Sequence, residues 1–420
     1  MLNLHRLTEQ IMNKATESIR SQFPQLSSKV YGKPLVYLDN AATSLRPQSV
    51  LGKWNAMSAE HNSNLHRAVH RTANDATALY EAARDSVREF IGASQREQIV
   101  FTSGATASLN LVAFSFGKAF VGRGDEVLVS ESGHHSNIVP WQMLCERKGA
   151  VLKVLPVTEQ GFIDIQKLPA LLTERTKICC IDHVSNVLGL VNPVRQIADI
   201  CHSAGCKLLV DGAQGIVHTK VDFNALGCDF YAFSGHKMYA APGTGVLCGT
   251  MEMLNAIPPY MGGGEMIQTV KWSGTSYAPV PQKFEAGTQN ISGTPTFVEA
   301  IAVAREMCSA ELSAAAEEVK EFVYRSLLAI PGLRLYGTTT DLSLKVPVFS
   351  FTVEGAHHED LALILDKMGV AVRSGQMCAE PLMDRFGTTG MLRASFAPYN
   401  TMEEAQYFIQ SLERAVKMLK

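Results

Sequence analysis

The sequence has 420 residues, 46% hydrophobic and 19% charged, a balance that excludes a disordered chain and calls for more than one small core. Its 38 Lys and Arg against 40 Asp and Glu leave no strong net field to attract nucleic acid or an anionic membrane, so small molecules and proteins are the expected partners. The nine cysteines stand singly or as Cys179-Cys180, without the paired spacings of a zinc site or a disulfide framework; they read as reduced thiols, and no metal site is expected.

Residues 1–20 interleave charged and apolar side chains with no small-residue cleavage site, which predicts a helix and not a secretory leader. No run of about 18 apolar residues occurs, so no transmembrane span is expected and the cytoplasm is the expected compartment. Val36 to Leu38 is a short strand ending in the turn Asp39-Asn40-Ala41-Ala42, and helical periodicity runs from about Thr72 to Ile91. Strands and helices then take turns: strand Gln98 to Thr102, helix Ala105 to Phe116, strand Glu126 to Ser130, helix Val139 to Arg147, strand Val151 to Leu155. The run continues with strand Ile178 to His183, a helix around Val194 to Ala204, and strands Lys207 to Val210, Phe230 to Phe233 and Gly245 to Cys248. This alternation predicts an α/β domain around a mostly parallel sheet. Pro258-Pro259 and Gly262 to Gly264 mark a loop-rich stretch. Beyond Gly287 the pattern predicts one long helix from Thr296 to Leu328, strands Leu333 to Tyr336 and Val348 to Val353, and a helix from His358 to Met368. Strands Val370 to Arg373 and Met391 to Ser395 and a last helix from Met402 complete a smaller α+β domain. The expected division is an N-terminal helical segment at 1–30 that joins the small domain, a large α/β domain at 31–290 and a small domain at 291–420.

Chemistry gathers at strand ends. Lys207 to Val210 leads into Asp211-Gly212-Ala213-Gln214, and ligands of open α/β sheets bind outside the carboxyl ends of strands. A second strand ends in Ser234-Gly235-His236-Lys237, bringing an amine to the same edge. A partly desolvated lysine becomes a nucleophile able to form a Schiff base with pyridoxal 5′-phosphate, and that cofactor needs an anion against its ring nitrogen. Alone, Asp211 would read as a cap or ion-pair partner and Lys237 as a solvated lysine; together they point to this cofactor. Gly104-Ala105-Thr106, between a strand and a helix, offers backbone N–H groups and a hydroxyl to a phosphate, although glycine and threonine are also ordinary turn and cap residues. Ser234 and His236 could hold further phosphate oxygens. His134, in Ser132-Gly133-His134-His135, could stack on the ring or be one of a surface pair.

Further motifs join these in order. Tyr37-Leu38-Asp39-Asn40-Ala41-Ala42-Thr43, Leu65-His66-Arg67, Gly133-His134-His135-Ser136-Asn137, His183-Val184-Ser185-Asn186, Val210-Asp211-Gly212-Ala213-Gln214 and Phe233-Ser234-Gly235-His236-Lys237 together resemble the cysteine desulfurase family of the class V aminotransferase group. Within it they are nearest the branch of SUF-type desulfurases, cysteine sulfinate desulfinases and selenocysteine lyases. The resemblance extends from Phe23-Pro24 to the last helix. It implies a PLP-dependent transferase fold, aspartate aminotransferase-like (fold type I), with a mostly parallel seven-stranded sheet in the large domain and the catalytic cysteine loop in the small one.

The resemblance also implies roles. Lys237 carries the cofactor, Asp211 pairs with its ring nitrogen, His134 stacks on the ring and Gln214 bonds the ring hydroxyl. Ala105, Thr106, Ser234 and His236 hold the phosphate, with Thr288 supplied by a second subunit of a homodimer. Asn186 and Arg393 grip the substrate carboxylate, an anion that suits an arginine fork, with Arg373 and His66 also at the substrate. Cys378, in Arg373-Ser374-Gly375-Gln376-Met377-Cys378-Ala379, matches the residue that accepts sulfur from L-cysteine as a persulfide while alanine is released; nearby cations should favour its thiolate. The implied receiver of that sulfur is a protein of the SufE or CsdE type feeding iron-sulfur or other sulfur-cofactor assembly.

Several positions depart from the family pattern: Ala105 replaces a Thr, Ala107 a Glu, Gln289 a Pro and Met377 a His, and Ala240-Ala241-Pro242-Gly243 replaces a Gly-Pro-Thr-Gly loop. Met377 removes a cation beside Cys378, so slow turnover of cysteine is expected. L-selenocysteine and cysteine sulfinate are the alternative substrates, an aminotransferase or kynureninase-like hydrolase is a more distant alternative, and a non-catalytic scaffold is a third.

Overall fold

The computed structural model describes residue 12 and residues 14–420. Most of the expected N-terminal helix lies outside the described residues; its remainder, 14–21, is helical. No helix among the described residues is long and apolar enough to cross a membrane.

Seven strands form the main sheet: β1 (Ile99–Thr102), β2 (Glu126–Ser130), β3 (Val151–Leu155), β4 (Thr176–Asp182), β5 (Lys207–Asp211), β6 (Phe230–Ser234) and β7 (Gly245–Gly249). Their order is β1-β7-β6-β5-β4-β2-β3. Only β7 runs against its neighbours, so the other six present their carboxyl ends along one edge. Runs such as Ile178-Cys179-Cys180-Ile181 and Leu208-Leu209-Val210 have no polar face because helices cover the sheet on both sides. One core holds Ile181, Val210, Phe233 and Val246, and another holds Cys180, Leu209, Ala232 and Leu247 on the opposite faces of the same strands. Seven cysteines are buried, and all nine are free thiols.

After β7 the chain makes an exposed hairpin, β8 (Ile267–Lys271) and β9 (Gly274–Tyr277), inside the stretch that read as loop. Neither strand has a buried face, so neither carries the alternation that marks a strand in sequence. The smaller sheet is antiparallel: β10 (Leu333–Tyr336), β11 (Val348–Val353), β12 (Arg373–Gly375) and β13 (Met391–Ser395), ordered β10-β11-β13-β12. Its core also takes in Val36 and Leu38, because Val36–Tyr37 pairs in parallel with Val370–Ala371. The stretch Val370 to Arg373, expected as one strand, therefore serves two sheets in turn, pairing first with Val36–Tyr37 and then, as β12, with β13.

The helix expected from Thr296 to Leu328 is two helices, Phe297–Met307 and Ala310–Ala329. Ser309 leaves the helical region (φ −59°, ψ 155°) and its hydroxyl accepts from the Leu312 N–H at 3.5 Å, a new N-cap. The break has a packing reason: Phe297, Ile301 and Met307 fill the large core, whereas Val319, Val323 and Leu327 fill the small one.

At the head of the helix Ala105–Phe120, Gly104 has φ 152°, a conformation open to glycine. It lies against Gly245 of β7, where a Cβ would stand 2.3 Å from the Gly104 Cα. Gly245→Ala should therefore displace this turn and destabilise the protein by about 1–3 kcal/mol, seen as a lower urea midpoint. An unchanged midpoint would show that the turn can retreat at no cost.

Candidate active site

The carboxyl ends of the central strands and the loops of the small sheet enclose a cavity of about 190 Å³. Lys237 reaches it from the turn Gly235–Lys237 directly after β6. The side chain is partly accessible through the cavity yet deep within the protein. Burial pushes its amine down to about 8; Asp211 opposes the shift, and Arg393 and Arg373 add to it. Asp211, at the end of β5, accepts from the Ala213 N–H at 3.0 Å. Burial nevertheless holds its carboxyl above the usual range, the mark of an anion short of partners.

Around this pair stand the other expected residues. The His134 Nδ1 accepts from the Ser136 N–H at 3.1 Å, and burial, then the charge of Lys237, pushes the ring down to about 4. It is a neutral, flat face on the cavity wall. Gln214 is anchored by its amide N–H to the Ala41 carbonyl at 2.7 Å. Ala105 donates its N–H to the Ser234 hydroxyl at 2.8 Å, with Thr106 beside it at the cavity mouth. His236 pairs with the Thr43 hydroxyl at 3.2 Å, and burial, then Lys237, keep it neutral with a value of about 4. The helix that starts at Ala105 has 16 residues, so its N-terminal dipole faces the place where an anion would sit.

The roof comes from the small sheet. Arg393 and Arg373 are cross-strand partners on β13 and β12, and both line the cavity. Arg393, 2% exposed, donates to the Asn186 carbonyl at 3.0 Å and to Asp39 at 3.1 Å. Its Nε has no partner among the described residues. Asn186 in turn donates its side-chain N–H to the Met377 carbonyl at 2.8 Å. That bond bears on Cys378, because Met377 and Cys378 both sit in the left-handed region (φ 55° and 56°). Side chains other than glycine hold that conformation at about 1–3 kcal/mol each, where surrounding structure dictates it. Here the surroundings are explicit: the His135 N–H donates to the Cys378 carbonyl at 2.8 Å, and the Glu380 N–H donates to His135 Nε2 at 3.0 Å. The Met377 side chain is packed among Val187, Leu188, Leu382 and Met383, where an imidazole would lose its solvation. The half-buried Cys378 is thus clamped on a turn that lines the same cavity as Lys237.

Two expected residues are elsewhere. Thr288 is exposed in the turn after Glu285, beside Ala107 and Phe101, and the exposed His66 pairs with Glu81 at 3.0 Å. Neither lines the cavity of its own chain. Conversely, two carboxylates were not singled out in the sequence. Asp182, at the end of β4 and in register with Asp211, lines the cavity and accepts from Ser132 at 2.7 Å and Asn192 at 3.1 Å. Burial raises its carboxyl, and the strand-end rule that picked Asp211 would have found it. Asp39 follows a short strand, but its partner Arg393 lies near the other end of the sequence, so the pairing itself gave no local signal.

These residues fit pyridoxal phosphate: a lysine amine poised below its ordinary value, a buried carboxylate short of a cation, a flat neutral ring and a helix N-terminus. The free Nε of Arg393 fits a carboxylate.

Comparison with known proteins agrees. Residues 36–408 match the model of the family described as aminotransferase class-V. A probable cysteine desulfurase of Vibrio cholerae is 42% identical over 403 residues, 96% of this chain and 99% of the relative. A cysteine desulfurase of Klebsiella pneumoniae is 41% identical, covering 97% of this chain and 100% of its own. Among solved structures, the cysteine desulfurase CsdA of Escherichia coli superposes with a TM-score of 0.87 at 36% identity, covering 96% of this chain and 99% of its own. A cysteine desulfurase of Thermococcus onnurineus NA1 in its apo form reaches 0.90 at 35% identity, with 96% of this chain and 98% of the other covered. The chain belongs to the class V aminotransferase family, among its pyridoxal-phosphate-dependent cysteine desulfurases.

Proposed function

We propose that the protein takes the sulfur of L-cysteine onto Cys378 as a persulfide and releases alanine. The observation that carries this reading is the clamped Cys378 turn opening onto the same cavity as Lys237 and Asp211. Pyridoxal phosphate, when bound, supplies an electron sink for the substrate's Cα. Asp211 would keep that sink protonated, His134 would lie against its ring, Gln214 would bond its hydroxyl, and Ala105, Thr106, Ser234 and His236 would hold its phosphate. Arg393 and Asn186 orient the substrate carboxylate, with Arg373 beside them. The Lys237 amine, whose proton affinity burial lowers to a value of about 8, removes the Cα proton in its neutral form. Cys378 then attacks the substrate sulfur as a thiolate. The new S–S bond forms as the C–S bond breaks, and the released electron pair stays with the three-carbon skeleton, which leaves as alanine once protonated.

Thr288 and His66 are read as serving the site of a second copy of the chain. In support, both are exposed and neither lines the cavity of its own Lys237, and the hairpin leaves Val270, Trp272 and Tyr277 uncovered, an apolar patch that asks for a partner. The persulfide is read as passing to an acceptor protein of the SufE or CsdE type, because Cys378 is half-buried beside a groove of about 500 Å³ bordered by Gln376, Glu380 and Asp384. L-selenocysteine and cysteine sulfinate remain second substrates on a specific ground: position 377 offers Cys378 no imidazole, and neither substrate needs a thiolate to expel its leaving group.

With equal cofactor loading and a thiol reductant, Cys378→Ala should lower alanine release from L-cysteine by at least about a hundredfold. Equal alanine from wild type and variant would contradict sulfur transfer to Cys378. A second expectation concerns pH. The neutral form of the Lys237 amine increases as pH rises through about 8, so the rate at which apoprotein takes up pyridoxal phosphate should climb across that value and level off above it. A rate still climbing steeply above pH 10 would show an amine with the ordinary lysine value of about 10.4.

A further inference from the structure

Arg84 lies in the helix Arg71–Phe90 with its guanidinium wholly buried. All of its N–H groups are used. One terminal nitrogen donates to the Ile99 carbonyl and to Glu285, each at 2.7 Å; the other donates to Glu285 at 2.9 Å and Glu81 at 3.2 Å; the Nε donates to Glu81 at 2.9 Å. The ring of Phe101 lies 4.7 Å from the guanidinium carbon.

Each partner leads to an exposed candidate residue or to the phosphate turn. Glu285 opens the turn that carries Thr288, through Gly287 at φ 80°, and it also accepts from the Phe101 N–H at 2.7 Å. Glu81 holds His66, whose own φ of 65° is one that only firm surroundings maintain. Ile99 and Phe101 belong to β1, which ends at Thr102, just before the turn at Gly104 and Ala105. A buried ion pair is a poor source of stability, since the cost of removing two charges from water consumes most of the attraction. What it supplies here is geometry, because the planar fork fixes two carboxylates and a carbonyl at once, which a lysine cannot do.

We propose that Arg84 is a positioning residue that, through Glu285, holds Thr288 in place for the cofactor and, through Glu81, holds His66 in place for the substrate in the active site of a second copy of the chain. This rests on the shared-site reading above. No step of the reaction passes through Arg84 itself; its effect reaches the cofactor only by way of the residues it holds.

The test is a double-mutant cycle read as pyridoxal phosphate affinity, by absorbance titration of the dimeric apoprotein. Thr288→Val and Arg84→Lys should each weaken binding about tenfold, and the double variant should be no weaker than Thr288→Val alone, the non-additivity of residues acting as a unit. Glu285→Gln, which keeps the shape of the side chain, gives the same reading if Arg84→Lys does not fold. If Thr288→Val leaves affinity unchanged, the shared-site reading fails and takes this inference with it. If Thr288→Val weakens binding while Arg84→Lys and Glu285→Gln do not, or if the effects simply add, the inference alone is overturned.

Discussion

The structure depends on a lysine amine held where its charge is expensive. Lys237 stands at the end of a strand whose residues are all buried, and burial lowers its proton affinity more than the facing Asp211 restores it. The same burial raises the Asp211 carboxyl. On the proposed reading, a bound pyridoxal phosphate would bring each group what it lacks: an aldehyde for the amine and a ring nitrogen for the carboxylate. Six parallel strand ends bring the two together, and the antiparallel β7, which returns beside β6, lets Gly245 support the Gly104 turn. Sheet topology and site chemistry are thus one arrangement.

The second constraint is the link between the two sheets. Arg393 bonds the Asn186 carbonyl from the large sheet's side and Asp39 from the N-terminal strand, while Asn186 reaches back to Met377. In the proposed reaction, substrate recognition and the placement of the sulfur acceptor would therefore share Asn186. The two left-handed residues at 377 and 378 show the cost of aiming the thiol, and the His135 backbone bond and the apolar seat of Met377 are what sustain it. The apolar seat also explains how a methionine can stand in this loop: it contributes packing where an imidazole would have contributed charge.

Much of this was legible in the sequence for simple reasons. The central strands are unbroken apolar runs bounded by turns, and Asp211 and Lys237 follow such runs directly, so the strand-end rule sufficed. The exposed hairpin 267–277 lacked a buried face and so gave no periodic signal. The helix break at Ser309 was masked because apolar residues on both sides keep helical spacing while facing different cores. Asp39 and Arg84 act through partners distant in sequence, and nothing local announces such contacts. Thr288 and His66 were legible only by resemblance, since their places in one chain give no sign of the cofactor.

The central claim is that Cys378 receives the sulfur, and the most direct measurement is peptide mass mapping of the protein after one turnover with L-cysteine, the thiols being alkylated before digestion. The account predicts one added sulfur atom on the peptide that carries Cys378 and on none of the other eight cysteines. Alanine formed in equal amount with no sulfur on that peptide would contradict it.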